Sequence, residues 1–216
     1  MQVPDQASLR PITLLVCALG GEGGGVLAEW IVHTAIAAGY PAQSTSVPGV
    51  AQRTGATSYY IEVFPVPERE LQGRRPVFGL NPIPGALDAM VSSELLETVR
   101  QISNGMSNPE RTLLITSSSR ALTTAERMQP GDGRYPTERL LEIVRQQSRE
   151  HHIFDMARTA QEAGTVISAV LLGAIAASGL FPFTREQYEG TIRESGRGVD
   201  ASLRGFAKAY EIVETS

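Results

Sequence analysis

The chain places five glycines within residues 20–25, directly between an apolar run at residues 12–18 and a helix-like stretch at residues 26–38. A short continuous apolar run bounded by a turn is typical of a strand buried on both faces, as in a parallel sheet. The later stretch places Val26, Trp30 and Ile31 roughly on one helical face, and Gly39 can cap its end. Strand, glycine turn and helix in this order predict the opening of a βαβ unit.

Beyond this unit the chain continues to alternate between predicted strands and helices. Further strands are expected at residues 40–47, 56–64, 87–91, 112–116 and 153–156. Helices are expected from Ser92 or Ser93 to residue 102, from Thr137 to residue 149, and at residues 165–178, 184–195 and 199–213. The alternation predicts an α/β fold with a Rossmann-like, mainly parallel sheet flanked by helices and a helical C-terminal cap. No linker divides it, so we expect one domain at residues 11–215 after a tail at residues 1–10.

The amino-acid composition limits the kinds of ligand and partner that the chain can have. Of the 216 residues, 42% are hydrophobic and 19% are charged, which suits a packed globular domain. The net charge of −4 argues against a nucleic-acid partner, which calls for a basic face. The longest apolar stretch is short and interrupted, and residues 1–10 have no apolar core of a signal peptide, so we expect a cytoplasmic protein without membrane contact. Cys17, the only cysteine, can form neither an internal disulfide nor an iron–sulfur cluster by itself.

The glycine turn suits an anionic ligand for two physical reasons. Glycine allows a sharp turn and close approach of a ligand, and the helix that follows offers free N–H groups and the positive end of its dipole. The turn fits neither the dinucleotide pattern nor the P-loop, because Val26 stands where those motifs need a glycine or a lysine. Two interpretations remain open, namely phosphate or nucleotide binding and a tight turn that allows close packing. The candidate cofactor-binding residues here are Gly20, Gly21, Gly23, Gly24 and Gly25.

A second loop, residues 48–55, follows the next predicted strand. In an open parallel sheet, the loops beyond the carboxyl ends of the strands form the ligand crevice, so we expect this loop to lie beside the glycine turn. Its arginine carries a planar cation suited to an anionic ligand or to a carboxylate on a partner, although a surface ion pair is the alternative. The candidate residues of this loop are Pro48, Gly49, Gln52, Arg53 and Thr54.

The two loops together resemble the gamma family of 2-oxoacid:ferredoxin oxidoreductases, and within it the small (beta) subunits of the indolepyruvate branch. That family has a glycine-rich first turn followed, one helix and one strand later, by a segment with the order Gly, Met, Ala, Gln, Arg, Gly, Gly. The positions that match are Gly20, Gly23 and Gly25 in the first motif and Gly49, Ala51, Gln52, Arg53 and Gly55 in the second. The chain departs from the pattern at Gly24, where the family often has glutamine, and near Ser168, where it often has asparagine.

The resemblance implies a subunit that works only within a complex. A large (alpha) subunit would hold thiamine diphosphate, Mg²⁺ and [4Fe–4S] clusters, electrons would pass to ferredoxin, and coenzyme A would be the co-substrate. This chain alone would bind no cofactor and no metal and would carry no catalytic residue, with Arg53 as a candidate supporting group. Its role would be to complete the active site. The candidate surfaces for the partner are the apolar residues Val166, Val170, Leu171 and Ile175 and the loop at residues 47–50. A free-standing nucleotide-binding reductase and a non-catalytic scaffold are the alternatives.

We predict that Arg53 matters more for activity than any other arginine of the chain. Arg53→Ala is expected to lower turnover or assembly of the complex at least about tenfold, because a charge-assisted pair desolvated in an interface contributes about 2–5 kcal/mol. Arg53→Lys should rescue only part of the loss, since lysine lacks the planar fork. Steady-state kinetics and sedimentation of the reconstituted complex measure both effects. Wild-type values for Arg53→Ala would reduce the loop to a structural turn.

Overall fold

The computed structural model describes residues 9–47, 56–120, 136–196 and 198–216. Its strands are β1 (Ile12–Leu19), β2 (Ala42–Val47), β3 (Ala56–Val63), β4 (Ala89–Ser92), β5 (Leu113–Ser117) and β6 (Glu150–Phe154). Its helices are α1 (Gly24–Ala37), α2 (Leu95–Ser103), α3 (Thr137–Gln146), α4 (Met156–Ala163), α5 (Ile167–Ala177), α6 (Arg185–Glu194) and α7 (Val199–Glu214). A single 3₁₀ turn, Glu68–Glu70, interrupts the otherwise irregular connection from β3 to β4. The predicted α/β architecture with a helical C-terminal region is confirmed.

The strands form one six-stranded sheet in the order β2-β3-β1-β4-β5-β6. Strands β1, β4, β5 and β6 run parallel to one another. Strand β3 is antiparallel to both of its neighbours, β1 and β2. A parallel connection needs a crossover of a dozen or more residues, and the segment between β2 and β3 is shorter than that. The sheet is therefore mainly parallel, as predicted, with one reversed strand between β1 and β2.

Alternate residues of the strands serve two separate helical layers. The side chains of Leu14, Val16 and Ile61 pack with α1 and the C-terminal helices in the larger core. The side chains of Leu15 and Met90 pack on the opposite face with α2 and α3. Successive side chains of a strand point to opposite faces, so burial on both faces explains why β1 is apolar from Leu14 to Leu19.

Several predicted boundaries and caps were wrong. The last strand is Glu150–Phe154 rather than residues 153–156, and Met156 instead begins α4. Asp155 caps α4 by accepting a hydrogen bond from the Arg158 N–H, a signal visible in the sequence that was not used. Glu94, rather than Ser92 or Ser93, caps α2. Helix α3 has Pro136 at its N-cap position and ends at Gln146, which leaves room for β6 to begin at Glu150.

Helix α5 runs through the interior, so the prediction that its apolar residues meet a partner was mostly wrong. Val170, Leu171 and Ile175 are buried inside the chain, and only Val166 is exposed, at 57%. The helix is apolar on all sides, and such a helix is buried rather than half-exposed. Among the described residues, the large apolar side chains with the greatest exposure lie instead in the irregular connection before β4, at Val77, Leu80 and Ile83.

Within the described ranges, no single helix is both long and apolar enough to cross a bilayer. Helices α4 and α5 satisfy that length and composition only as a pair, and they meet at a bend of 113°.

The crossing of α5 and α7 depends on the glycine at residue 173. A methyl group built on Gly173 would overlap the backbone carbonyl oxygen of Phe206 in α7, which cannot move aside as a flexible side chain would. We expect Gly173→Ala to lower the free energy of unfolding by about 3 kcal/mol, the upper part of the range for overpacked cores. Denaturant unfolding followed by circular dichroism measures the loss.

Gly190 in α6 provides the matched control. Apart from its chain neighbours and the backbone of α6 itself, no described atom lies within 4 Å of the position that its methyl group would occupy. Gly190→Ala should therefore raise the free energy of unfolding by about 0.5–1 kcal/mol, since alanine favours a helix interior over glycine. Equal changes for the two variants would contradict the close-contact account of Gly173.

Candidate functional site

The glycine turn lies between the carboxyl end of β1 and the first turn of α1. Gly21 and Gly23 have φ angles of 87° and 78°, in the left-handed region that glycine adopts without strain. Gly23 is the N-cap of α1, and no side chain of the described residues caps this helix. Among the described residues, no side chain pairs with the first N–H groups of α1, and these groups remain candidate donors to an anionic ligand.

A carboxylate fixes the turn to the sheet. The Glu22 N–H donates to the Leu19 carbonyl oxygen over 3.1 Å. The Glu22 carboxylate accepts hydrogen bonds from the Leu19 N–H, over 3.3 Å, and from the Ser93 hydroxyl just beyond β4. Glu22 thus links the carboxyl ends of two parallel strands. Its position gave no recognisable motif, so reasoning from the sequence left this role unassigned.

Packing alone is enough to explain why two of the positions are glycine. A methyl group on Gly24 would lie 2.7 Å from the Ala18 Cβ and 3.1 Å from the Tyr59 ring. A methyl group on Gly25 would lie 3.1 Å from the Tyr59 hydroxyl oxygen. The structural interpretation of the cluster therefore accounts for Gly24 and Gly25. It does not account for Gly21 and Gly23, whose positive φ angles shape the turn at the uncapped start of α1. These two glycines and the helix start remain candidates for ligand binding.

A small cavity of about 320 Å³ adjoins the start of α1. Thr57 and Tyr59 of β3 form its wall opposite the glycines, and the described lining contains no charged side chain. The cavity can therefore accept hydrogen-bonding or anionic groups through backbone N–H donors, but its described lining has no charged group to exchange a proton. The glycines that line it are Gly20, Gly21, Gly23, Gly24 and Gly25.

The second predicted loop lies outside the described residues, together with its candidates Pro48, Gly49, Gln52, Arg53 and Thr54. Its two ends are nevertheless placed by strand register. Ala56 pairs with Leu19 at the end of β1, and Val47 pairs with Ser58. Both ends of the loop therefore lie near the carboxyl end of β1, where the glycine turn begins. The roles predicted for the loop residues stay predictions.

A larger cavity of about 860 Å³ opens on the other side of the turn. Gly23 meets α5 there, because a methyl group on Gly23 would lie 3.1 Å from the Ser168 hydroxyl oxygen, and Gly21 also lines the cavity. Ser168 is 1% exposed, and its hydroxyl has no hydrogen-bond partner among the described residues. The resemblance singled out this region only as a departure from an asparagine. The structure makes Ser168 part of the glycine-turn environment.

Other candidate groups are used by the fold. Burial raises the pKa of the Cys17 thiol, so this side chain is a neutral core group within β1. The Ser117 hydroxyl hydrogen-bonds to the Ser119 hydroxyl and accepts from the Met156 N–H, so the serine run after β5 ties two elements together. In the part of the chain that the structure describes, no group of three or more histidine, cysteine or acidic side chains is arranged to hold a metal ion.

Comparison with known proteins decides the family. The sequence profile of the family described as pyruvate ferredoxin/flavodoxin oxidoreductase matches residues 13–212 of this chain. The chain belongs to this family. The match spans nearly all of the sequence, so it includes the glycine turn, the second loop and the C-terminal helices alike.

Relatives within the family are subunits of larger enzymes. The indolepyruvate oxidoreductase subunit IorB of Thermococcus kodakarensis is 25% identical over 204 residues, covering 92% of this chain and 94% of the relative. The subunit of the same name from Pyrococcus horikoshii is 26% identical, with the same coverage. The chain is thus homologous from end to end to small subunits of 2-oxoacid oxidoreductases.

Solved structures of the family share the fold. The gamma subunit of a keto/oxoacid ferredoxin oxidoreductase from Geobacter sulfurreducens superposes with a TM-score of 0.63 at 16% identity, covering 95% of this chain and 99% of that one. A 2-oxoglutarate:ferredoxin oxidoreductase from Magnetococcus marinus superposes with a TM-score of 0.63 at 15% identity. That match covers 96% of this chain but 32% of the other, so the same fold also occurs as one part of a longer polypeptide.

The packing of α1 on β3 can be tested by combining glycine substitutions in α1 with a substitution of Tyr59. Gly25→Ala is expected to destabilise the chain by about 1 kcal/mol, because its methyl group crowds the Tyr59 hydroxyl. Tyr59→Phe removes that oxygen, so the double variant should regain the lost stability. Thermal unfolding of the single and double variants measures the coupling.

Gly24→Ala serves as the control within the same cycle. Its methyl group meets Ala18 as well as the Tyr59 ring, so Tyr59→Phe should leave its larger loss uncorrected. Rescue of both glycine variants by Tyr59→Phe, or of neither, would show that the contacts at α1 do not act as described.

Proposed function

We propose that this chain is the small subunit of a thiamine-diphosphate-dependent 2-oxoacid:ferredoxin oxidoreductase, with indolepyruvate or another arylpyruvate as substrate. The complex would decarboxylate the 2-oxoacid oxidatively, transfer the acyl group to coenzyme A and pass electrons to ferredoxin. The role of this chain is to complete the architecture of the active site. The observation that carries the proposal is the end-to-end match to IorB subunits, at 92% of this chain and 94% of the relative.

The geometry of the glycine turn suits a role in binding and orienting a group rather than in catalysis. The start of α1, with Gly23 at its N-cap, presents backbone N–H donors at the carboxyl end of β1. Strand pairing places the two ends of the second loop at that same end of the sheet, near Leu19. A partner surface or a ligand placed there would meet backbone N–H groups, and we propose that Arg53 of the second loop supplies a cation to the same anion. This arrangement can bind and orient an anion.

The cofactors are assigned to the large (alpha) subunit. An iron–sulfur cluster takes several cysteine thiolates, and Cys17 is buried in the sheet with its pKa raised by burial. The residues of this chain therefore do not fit a cluster. Thiamine diphosphate, Mg²⁺ and the [4Fe–4S] clusters would accordingly belong to the partner, and the carbanion and electron-transfer chemistry with them.

Coenzyme A is proposed as the co-substrate that approaches this subunit. The 2-oxoglutarate:ferredoxin oxidoreductase of Magnetococcus marinus, which contains the same fold, has coenzyme A and succinyl-CoA bound in its structure. The free donors at the start of α1 suit a phosphate group of such a ligand. We also propose a cytoplasmic location, since the complex would exchange electrons with ferredoxin and the chain has a single unpaired cysteine.

Reconstitution with the large subunit tests the proposal. We expect the purified chain to be colourless, free of stoichiometric iron and inactive toward indolepyruvate with an artificial electron acceptor. Co-expression with a large subunit that carries the thiamine and cluster motifs should give a complex that reduces the acceptor only in the presence of both 2-oxoacid and coenzyme A. Absorbance spectra, iron analysis and turnover provide the measurements.

Two outcomes would separate the proposal from its alternatives. Turnover by the large subunit alone at the rate of the complex would identify this chain as a scaffold. Nicotinamide-dependent reduction by this chain alone would identify a free-standing reductase. A panel of indolepyruvate, phenylpyruvate, pyruvate and 2-oxoglutarate tests the substrate class, and a preference for pyruvate or 2-oxoglutarate would contradict the arylpyruvate assignment.

A further inference from the structure

The irregular connection from β3 to β4 exposes three large apolar side chains close together in the chain. Val77 is 88% exposed, Leu80 is 68% exposed and Ile83 is 67% exposed. Single apolar residues scattered over a surface are normal, whereas several of them together indicate an interaction site. These three belong to a stretch without any charged residue, residues 76–84, which we call the apolar segment.

Hydrogen bonds hold the apolar segment against the sheet. The Gly79 N–H donates to the buried Glu62 carboxylate over 2.7 Å, and the Gln43 side chain donates to the Gly79 carbonyl oxygen over 3.0 Å. The Thr45 hydroxyl donates to the Leu80 carbonyl oxygen over 2.8 Å. The segment is therefore already ordered, so a partner that binds it loses little affinity to the ordering of this chain.

The same contacts place the apolar segment beside an open edge of the sheet. Strand β2 is the last strand on its side, and no backbone hydrogen bond joins it to any described segment other than β3. Proteins usually protect such an edge with charges or proline, because its free N–H and C=O groups attract another strand. Strand β2 has neither, whereas β6 at the opposite edge carries Glu150 and two histidines.

Charged side chains next to the apolar segment indicate the kind of partner. Arg74 and Arg75 are exposed, and they have no ion-pair partner among the described residues. Residues 71–87 contain no acidic residue, and Asp88 is already paired with two other arginines. A twofold contact between copies of this chain would therefore leave the two arginines of each copy without a carboxylate from the segment. A different chain that carries carboxylates matches this surface better.

We propose that an acidic, partly apolar segment of the large subunit docks on this surface and adds a strand to β2. Its backbone pairs with the open edge of β2, and its apolar side chains cover Val77, Leu80 and Ile83. Its carboxylates meet Arg74 and Arg75. In strand addition, main-chain hydrogen bonds supply affinity and alternate side chains supply specificity. The inference rests on the proposed function, because it takes the large subunit as the occupant.

Hydrogen exchange followed by mass spectrometry tests the strand addition. In the reconstituted complex, amides of β2 and of residues 77–83 should include some that exchange at least about tenfold more slowly than in the free chain, because they are newly paired or covered. Amides of β6 provide the control edge and should exchange equally in both samples. Slow exchange of β2 in the free chain would show that this chain covers its own edge. Protection confined to β6 would move the contact to the opposite side, and either result would overturn the proposal.

Substitutions in the apolar segment test its part in docking. Leu80→Gln combined with Ile83→Gln should weaken assembly with the large subunit at least about tenfold, a difference of about 1.4 kcal/mol. The matched control is Ile36→Gln in α1, because Ile36 is similarly exposed, at 61%, and should leave assembly unchanged. All three positions are exposed, so the melting temperatures should stay close to that of the wild type. Sedimentation of the mixed subunits measures the dissociation constant.

The arginines can be tested by the salt dependence of assembly. Arg74→Gln combined with Arg75→Gln should raise the dissociation constant at low salt and flatten its increase with salt, because screened charge pairs are lost. A salt dependence equal to that of the wild type would remove both arginines from the contact and with them the argument for an acidic partner.

Three outcomes separate this inference from the proposed function. If the wild-type complex forms and turns over, but the variant with Leu80→Gln and Ile83→Gln assembles equally well, the docking surface is wrong and the proposed function stands. If the wild-type chain does not bind the large subunit, both are wrong. If the wild-type chain dimerises by itself and this variant does not, the surface belongs to a second copy of the chain.

Discussion

The contact between the start of α1 and the sheet governs the rest of the site. Gly24 brings the helix so close to Ala18 and Tyr59 that any side chain at this position would push it away. The helix start is thereby held at the carboxyl end of β1, and its backbone N–H donors lie at that end of the sheet. Glu22 adds a polar link to Leu19 and to Ser93 beyond β4. Packing thus sets the geometry, and ligand binding can use only what packing leaves open.

The sequence predicted those parts of the fold in which local pattern and tertiary environment agree. The buried strand, the glycine turn and the first helix were legible because apolar periodicity and turn chemistry point to the same structure. The strand at Glu150–Phe154 was misplaced because its residues are mostly polar or aromatic and lie at the edge of the sheet, where no apolar alternation is required. The burial of Val170 and Leu171 was missed because an all-apolar helix shows no preferred face.

The candidate site was predictable in its chain positions but not in its chemistry. Glycine spacing located the turn, yet only coordinates separate Gly24, which is needed for packing, from Gly23, which opens the helix end. Ser168 carries no local signal, since its importance arises from a contact with residues far away in the sequence. The same is true of Glu22, whose partner Ser93 is 71 residues away. Such roles follow from tertiary contacts, which sequence periodicity does not encode.

The reversed strand β3 has a consequence for the segment that joins it to β2. Strand β3 is hydrogen-bonded along its length to β1 on one side and to β2 on the other, so the register of both pairs is fixed independently of the segment that joins β2 to β3. That segment can lengthen, shorten or change its side chains while its ends stay beside Leu19. The carboxyl end of β1 therefore carries a glycine turn that packing holds in place and a connection on which the strand pairing does not depend. Substitutions in that connection can change contacts with a ligand or a partner while the sheet that supports the fold stays intact.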